Sequence, residues 1–128
     1  MPAHKPADHP AVSPYLLVAD ARAMLAFLAA TFGALELFRK VREDGSIMHA
    51  EVRIEDSLLM IGERPELAAA LCGSTHVYVP DVDACHARGL ASGAECISPP
   101  ADQPYGDRTA GLRDAEGNLW WIGTHLGA

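Results

Sequence analysis

Two side chains that can transfer protons, His49 and Glu51, are separated by a single alanine. The surrounding residues alternate between apolar and polar, so on a β-strand His49 and Glu51 point to the same side. An imidazole beside a carboxylate can act as an acid–base pair, or as two metal ligands with His76 as the third. The alternative is a half-exposed polar face whose groups hydrogen-bond to neighbouring strands. His76 is either a hydrogen-bonded strand residue or a pocket-lining one.

Tyr105 and Arg108 form a second candidate group, beside a stretch rich in Pro and Gly. The planar, charged fork of Arg108 suits a carboxylate or phosphate ligand. Alternatively, Arg108 pairs with a nearby carboxylate (Asp102, Asp107 or Glu51) and fixes the loop. Long loops are often functional, so Tyr105 is a candidate lid residue.

Composition excludes several classes of function. The 128 residues are 49% hydrophobic and 21% charged, which is typical of one globular domain. A net charge of −7 argues against nucleic acid as a partner, since phosphate-backbone binding needs a basic stripe. The uncharged stretch from Ala23 to Leu35 is too short to span a membrane. Three cysteines without CxxC spacing (Cys72, Cys85 and Cys96) indicate reduced thiols, and we expect a cytoplasmic protein.

The chain repeats itself at an offset of 61 residues. This offset aligns Val18-Ala19-Asp20 with Val79-Pro80-Asp81, and Ile61-Gly62 with Ile122-Gly123. Alanine richness produces some identities by chance, but a single offset that matches both a helix start and a strand end is hard to obtain that way. We therefore infer two copies of one module of about sixty residues.

The repeat also defines the expected organisation of the chain. We predict a flexible lead-in (1–13) followed by a single domain (14–128), which contains module one (14–64), a linker (65–73) and module two (74–126). Prolines recur in the lead-in and remove backbone donors, which favours a mobile tail. Its histidines, His4 and His9, are accordingly expected to be tail residues rather than metal ligands.

Each module reads as β-α-β-β-β. In the first, Asp20 is a good N-cap and Gly33 ends the helix. The strand that follows an Asp44-Gly45 turn is predicted to place four apolar residues under the helix: Met48, Ala50, Val52 and Ile54. The second module repeats the pattern, with a long loop over Pro99–Gly106. We expect an α+β fold of two curled antiparallel half-sheets around a concave cavity, with the helices outside.

If the concave faces of the two modules point together, strand alternation predicts the residues that line the cavity. These are Tyr15, Leu17, His49, Glu51 and Met60 from the first module, and His76, Tyr78, Arg108, Leu112 and Trp121 from the second. A largely apolar and aromatic wall with a few polar groups is the usual composition of a small-molecule pocket. Trp120 and Trp121 are adjacent, so Trp120 is predicted to be core and Trp121 to face the pocket or a subunit interface.

Four stretches of the doubled module carry a family resemblance: Ile47-Met48-His49-Ala50-Glu51, Val79-Pro80-Asp81-Val82-Asp83-Ala84, Tyr105-Gly106-Asp107-Arg108 and Asp114-Ala115-Glu116-Gly117-Asn118-Leu119-Trp120. From Pro14 to Leu126 the chain resembles the glyoxalase/bleomycin-resistance/extradiol-dioxygenase superfamily, also called the vicinal oxygen chelate fold. It looks most like the PhnB-like branch. The resemblance is specific for the fold, but the superfamily contains isomerases, dioxygenases, thiol transferases and binding proteins without catalysis.

The resemblance also implies where a divalent metal is held in the enzymatic members, which use a His or Gln from the first strand and a Glu from the last strand of each module. The corresponding positions here are Met60 and Trp121 on the last strands, with Ser13 or Tyr15 and Ser74 or His76 on the first strands. Only His76 is an ordinary ligand for such an ion. We therefore expect neither a family-type metal nor another cofactor.

Three functions remain open. The leading hypothesis is a protein of the bleomycin-resistance type that sequesters a small aromatic or hydrophobic molecule, for which the acidic surface would favour a cationic ligand. The alternative is a metal-dependent lyase or isomerase of the glyoxalase kind, with an atypical site at His49, Glu51 and His76. The third is an interaction module without a ligand. Because relatives pair two chains and open sheet edges need cover, the resemblance implies a homodimer.

Overall fold

The computed structural model describes residues 4–127 as two modules of the predicted kind. Module one contains β1 (Tyr15–Val18), α1 (Ala21–Phe32), β2 (Leu35–Val41), β3 (Ile47–Ile54) and β4 (Ser57–Glu63). A short helix, α2 (Pro65–Ala68), precedes module two, which contains β5 (Ser74–Tyr78), α3 (Val82–Ala91), β6 (Glu95–Asp102), β7 (Asp107–Arg113) and β8 (Leu119–His125). The strand orders are β1-β4-β3-β2 and β5-β8-β7-β6. The α+β fold with two four-stranded sheets is thus confirmed, but each sheet is mixed rather than wholly antiparallel, because β1 runs parallel to β4 and β5 runs parallel to β8.

Both long helices begin at the predicted aspartates. The Asp20 side chain accepts a hydrogen bond from the Ala23 amide at 3.0 Å, and Asp81 accepts one from the Ala84 amide at 3.1 Å. Helix α1 ends at Gly33, whose φ of 67° lies in the left-handed region that glycine tolerates best. These local signals fix where each helix leaves its sheet.

The modules pack through their helices, since α1 contacts α3 and each helix also contacts its own sheet. Trp120 of β8 lies in this shared core, with its ring 5.3 Å from that of Phe32 and 6.3 Å from that of Phe27. Its Nε1 donates to the buried Asp114 carboxylate at 2.8 Å, which satisfies the one polar atom of the indole. The core prediction for Trp120 is confirmed.

A second link between the modules is made by Glu116, in the turn between β7 and β8. Its two carboxylate oxygens accept hydrogen bonds from the amides of Ala19 and Asp20, both at 2.9 Å. These amides immediately precede α1, where backbone donors have no partner within the helix. One side chain of module two therefore fixes the start of the helix of module one.

The prediction that Met48 packs under α1 is wrong. Lys40 pairs with His49 and Val41 pairs with Ile47, so Met48 is an extra residue in β3, in a β-bulge. The bulge shifts the alternation by one residue: Ile47 is completely buried, whereas Met48 is 40% exposed. Beyond the bulge the alternation holds, and Ala50 and Val52 are buried as expected.

The long loop predicted over Pro99–Gly106 is also wrong in its first half, because β6 continues to Asp102. A strand at the edge of a sheet tolerates proline, since its outer donors need no partner. The pairing with β7 is irregular between Ser98 and Ala101, where the two prolines lie. Tyr105 lies in the short turn that remains and is 68% exposed.

The lead-in lies on the domain in the part that the structure describes, where His9 hydrogen-bonds to Glu51 of β3. Residues 1–3 of the predicted lead-in, and residue 128, lie outside the described residues. The predicted module bounds stay predictions. No helix within residues 4–127 has the length and apolarity needed to cross a membrane. Cys72, Cys85 and Cys96 are free thiols.

Candidate functional site

The face of the first sheet that points away from the helices carries a row of large side chains. Tyr15 lies beside Met60 in the parallel pairing of β1 and β4, and Met60 lies beside Glu51 in the antiparallel pairing of β4 and β3. Phe38 of the edge strand completes the row beside Glu51. Tyr15 and Phe38 are each about half exposed, with values of 50% and 49%. We name this row, together with His49, the first outward face.

Glu51 is the electrostatic centre of the first outward face. Its carboxylate hydrogen-bonds to His9 at 2.7 Å and to His49 at 2.8 Å, and the other ring nitrogen of His9 contacts Asp8. Burial alone would raise the pKa of Glu51, but the hydrogen bonds from His49 and His9, together with the charges of these two residues, lower it by more. The pKa of His9 is raised by its hydrogen bonds to Glu51 and then to Asp8. The cluster therefore favours an ionised Glu51 beside a charged His9.

The second outward face, on the corresponding side of the other sheet, is formed by Ser74, His76, Tyr78 and Trp121. His76 lies beside Trp121 in the parallel pairing of β5 and β8. The Trp121 ring covers Gly111, where an added Cβ would lie 2.8 Å from Cζ3 of the indole. Trp121 Nε1 donates to the Ser74 hydroxyl at 3.0 Å, and the side chain stays 37% exposed.

Tyr78 is held in place by Asp107, which is itself hydrogen-bonded to His125. Its hydroxyl donates to Asp107 at 2.8 Å, and His125 contacts the other oxygen of the same carboxylate at 2.8 Å. The hydrogen bonds from His125 and then Tyr78 lower the pKa of Asp107, and the carboxylate in turn raises the pKa of Tyr78. The rings of His76 and Tyr78 lie edge to face, 4.6 Å apart. The aromatic groups of this face are therefore preorganised.

Two glycines related by the repeat make room for the first-strand rings. An added Cβ at Gly62 would lie 2.7 Å from the Tyr15 hydroxyl, and one at Gly123 would lie 3.3 Å from His76 Nε2. The offset of 61 residues relates Tyr15 to His76 as it relates Gly62 to Gly123. The same ring-over-glycine arrangement therefore occurs in both modules.

Arg108 and Leu112 do not lie on the second outward face, which corrects their predicted orientation. In the pairing of β7 with β8, Gly111 lies beside Trp121 and Leu112 beside Trp120, so Leu112 shares the helix side and is completely buried. Arg108 also points to the helix side. It contacts Asp83 of α3 at 2.8 Å and Asp102 at 3.0 Å. Arg108 therefore forms a salt bridge with Asp102, which is one of the structural pairings that the sequence left open as an alternative to ligand binding.

The predicted site residues form two groups in the structure, and the two groups lie apart from each other. Tyr15, His49, Glu51 and Met60 share the first outward face, whereas His76, Tyr78 and Trp121 share the second. Both faces lie on the far side of their sheets from α1 and α3, through which the modules meet. A single chain therefore does not join the two faces across one cavity.

The residues at the metal-ligand positions implied by the resemblance do not fit a divalent ion. Tyr15 lies beside Met60, and His76 lies beside a tryptophan whose indole nitrogen donates to Ser74. A thioether and an indole N–H are poor partners for a hard cation. Within the described part of the chain, no three His, Cys, Asp or Glu side chains are arranged to hold a metal, and His49 and Glu51 do not meet His76.

Several residues of these faces were missed by the sequence reasoning. Phe38 lies beside Glu51 because β2 contains a bulge, which the alternation alone does not reveal. The sequence reasoning considered Asp107 only as a partner for Arg108. The two residues are adjacent in β7 and therefore point to opposite faces of the sheet. His125 and His9 contact carboxylates that are distant in sequence. The repeat offers one usable signal, since it pairs the glycines that lie under Tyr15 and His76.

Comparisons with known proteins agree with this architecture. An uncharacterized protein of Mycobacterium bovis is 35% identical over 125 residues, covering 89% of this chain and 82% of that protein. The crystal structure of TioX from Micromonospora sp. ML1 has a TM-score of 0.74 at 29% identity, covering 90% of this chain and 99% of that one. FosX from Listeria monocytogenes, a genomically encoded fosfomycin resistance protein, has a TM-score of 0.69 at 21% identity, covering 93% of each chain.

The family model of the Glyoxalase/Bleomycin resistance protein/Dioxygenase superfamily matches residues 7–122, which include the core of both modules. The doubled module, the paired sheets and the solved structures lead to the same assignment. The chain belongs to the glyoxalase/bleomycin resistance protein/dioxygenase superfamily.

Proposed function

We propose that this protein binds and sequesters a small aromatic or hydrophobic molecule, in the manner of bleomycin resistance proteins. The supporting observation is the row of the second outward face, where a partly exposed Trp121 lies at a position that the enzymatic relatives are expected to use for a metal-binding carboxylate. An exposed indole beside the rings of His76 and Tyr78 offers stacking area to a planar ligand.

The complete pocket is proposed to form between two chains. Large apolar and aromatic side chains are exposed on both outward faces, including Tyr15, Phe38, Tyr78 and Trp121. Exposed apolar patches of this kind mark interaction surfaces. In a homodimer, the first outward face of one chain would cover the second outward face of its partner. Tyr15, His49, Glu51 and Met60 would then line one wall and His76, Tyr78 and Trp121 the other, with Tyr105 as a lid.

The cellular setting of this proposal is a reducing cytoplasm, which suits three free thiols. Within the superfamily, the stretches around His49, Asp81 and Arg108 favour the PhnB-like branch. The bleomycin-resistance members named in the family description make an antibiotic a reasonable ligand to test first.

A thermal-shift screen of aromatic antibiotics tests the binding proposal, because a ligand that binds only the native state raises the melting temperature. We expect at least one compound to raise it for the wild type and to raise it less for Trp121→Ala. Light scattering on the same samples tests the dimer. A monomer whose melting temperature no aromatic compound changes would contradict the proposal.

A second candidate is a lyase or isomerase reaction of the glyoxalase kind. The observation in its favour is the His49–Glu51 contact at 2.8 Å, which is close enough for proton transfer. Turnover of a glutathione hemithioacetal with added divalent metal tests this reaction. Loss of turnover in Glu51→Gln, without loss of folding, would support it over sequestration.

A further inference from the structure

A groove of about 390 Å³ lies between the two modules, where the turn joining β3 and β4 approaches β5. This volume is within the range of about 300–1,000 Å³ that is typical of small-molecule pockets. The lead-in forms one wall through Val12, and Leu58 and Val77 contribute apolar surface from the two modules. The groove overlaps the proposed dimeric pocket only at His76 and Tyr78, because neither Glu51, Met60 nor Trp121 lines it.

The carboxylates that line the groove make it negatively charged. Glu55 and Asp56 form the two-residue turn between the paired ends of β3 and β4, and both are exposed at the groove. Within residues 4–127, no lysine or arginine lines it. A net charge of −7 on the whole chain adds to the negative potential there. The groove is therefore electrostatically suited to a cation and unsuited to an anion.

The aromatic wall of the groove is suited to a flat cation in particular. Tyr78 is 56% exposed, and its hydroxyl donates a hydrogen bond to Asp107. The ring is therefore fixed in position before a ligand binds, which lowers the entropic cost of binding. The neighbouring His76 ring lies edge to face against it. A cation over the face of a tyrosine is attracted by the ring quadrupole, and its apolar body would contact Leu58 and Val77.

We propose that this groove binds a small planar organic cation, with its rings against Tyr78 and its charge directed toward Glu55 and Asp56. This site is additional to the proposed function. It shares His76 and Tyr78 with the proposed dimeric pocket. Cation binding here requires no second chain, since both modules of one chain form the groove.

Fluorescence titration with 9-aminoacridine, a planar cation at neutral pH, tests the site, and acridine-9-carboxylate provides an anion with the same rings. We expect saturable binding of one cation per chain and at least tenfold weaker binding of the anion. Removing both charges with E55Q/D56N should raise the cation Kd by about fivefold to tenfold. The control E43Q/E95Q removes the same charge from exposed residues outside the groove and should leave the Kd unchanged.

Trp121→Ala separates this site from the outward faces. Retained cation binding in Trp121→Ala, together with weakened binding in E55Q/D56N, supports the groove whatever becomes of the proposed function. Binding that is lost in Trp121→Ala but unchanged in E55Q/D56N overturns the groove and favours the outward face, as does equal binding of the anion. Absence of saturable cation binding also overturns it. If E55Q/D56N does not fold, amide shifts over 54–59 and 74–78 in the titrated wild type support the site, and shifts confined elsewhere overturn it.

Discussion

Trp121 lies directly beside His76 in the parallel pairing of β8 with β5. In a metal-binding relative, this neighbouring pair would be expected to hold a carboxylate and an imidazole around an ion. Here the indole instead donates to Ser74 and covers Gly111, which leaves an aromatic surface next to a histidine. This exchange of a metal ligand for a stacking surface is the basis of the proposed binding function.

Trp121→Ala is expected to weaken ligand binding while costing only about 1 kcal/mol of unfolding free energy, because the ring is 37% exposed and makes one side-chain hydrogen bond. Trp120→Ala is the matched control. It removes a fully packed ring from the shared core and should cost about 3–5 kcal/mol. Urea unfolding of both variants measures the difference. Equal destabilisation by the two substitutions would show that Trp121 is a core residue.

His49→Ala should reduce the unfolding free energy by no more than about 1–2 kcal/mol, since the imidazole is partly exposed and bonds mainly to Glu51. Glu51 keeps a partner in this variant, because His9 remains in contact with it. Chemical denaturation provides the measurement. A much larger loss would indicate that the cluster is a tightly coupled network rather than a partly solvated surface.

The contact of the lead-in with Glu51 should depend on pH. Because the pKa of His9 is raised, the charged imidazole persists above its usual pH range, and the contact weakens as pH rises through the raised value. Because the pKa of Glu51 is lowered, the carboxylate persists below its usual range, and the contact weakens as pH falls through the lowered value. Asp8, His49 and Arg53 are the other charged or titratable groups nearby.

Heteronuclear NOE values for residues 7–12 measure this release. They should be high at about pH 6, where His9 is charged and Glu51 is ionised, and lower at a pH above the raised pKa of His9, where His9 has lost its proton. Glu51→Gln should give low values at both pH values, because it removes the charged acceptor. A lead-in that is equally ordered at both pH values in the wild type would contradict the role of His9.

Glu116→Gln should destabilise the protein by about 1 kcal/mol, because it replaces one of the two acceptor oxygens at the start of α1 with an NH2 group and removes the charge from the remaining hydrogen bond. Glu55 occupies the corresponding turn of module one, so Glu55→Gln is the matched control and should change stability by less. The midpoints of urea unfolding give the comparison. Similar midpoints for the two variants would show that the link between modules contributes nothing measurable.

The sequence predicts the fold well because its signals are local and repeated. Asp20 and Asp81 cap the helices they were expected to cap, and the offset of 61 residues pairs each strand with its counterpart. The errors arise where one residue changes the register. The bulge at Met48 exchanges two neighbouring residues between the faces of β3, and no local signal marks it.

The site is less predictable, since it depends on contacts between distant segments. Alternation places Tyr15, Met60 and Trp121 on outward faces, but the orientation of Arg108 depends on the register of β7 against β8. The lead-in was expected to be a mobile tail, and nothing in its composition indicates that His9 contacts Glu51, 42 residues further along the chain. Such contacts require the tertiary arrangement.

The most direct test of the central claim is a Mn²⁺ titration of chelator-treated protein, followed by water-proton relaxation. We expect no saturable tight binding, because Met60 and Trp121 offer no oxygen or imidazole donor where the superfamily is expected to place carboxylates. One tightly held ion per chain, with an affinity that falls in His76→Ala, would contradict it.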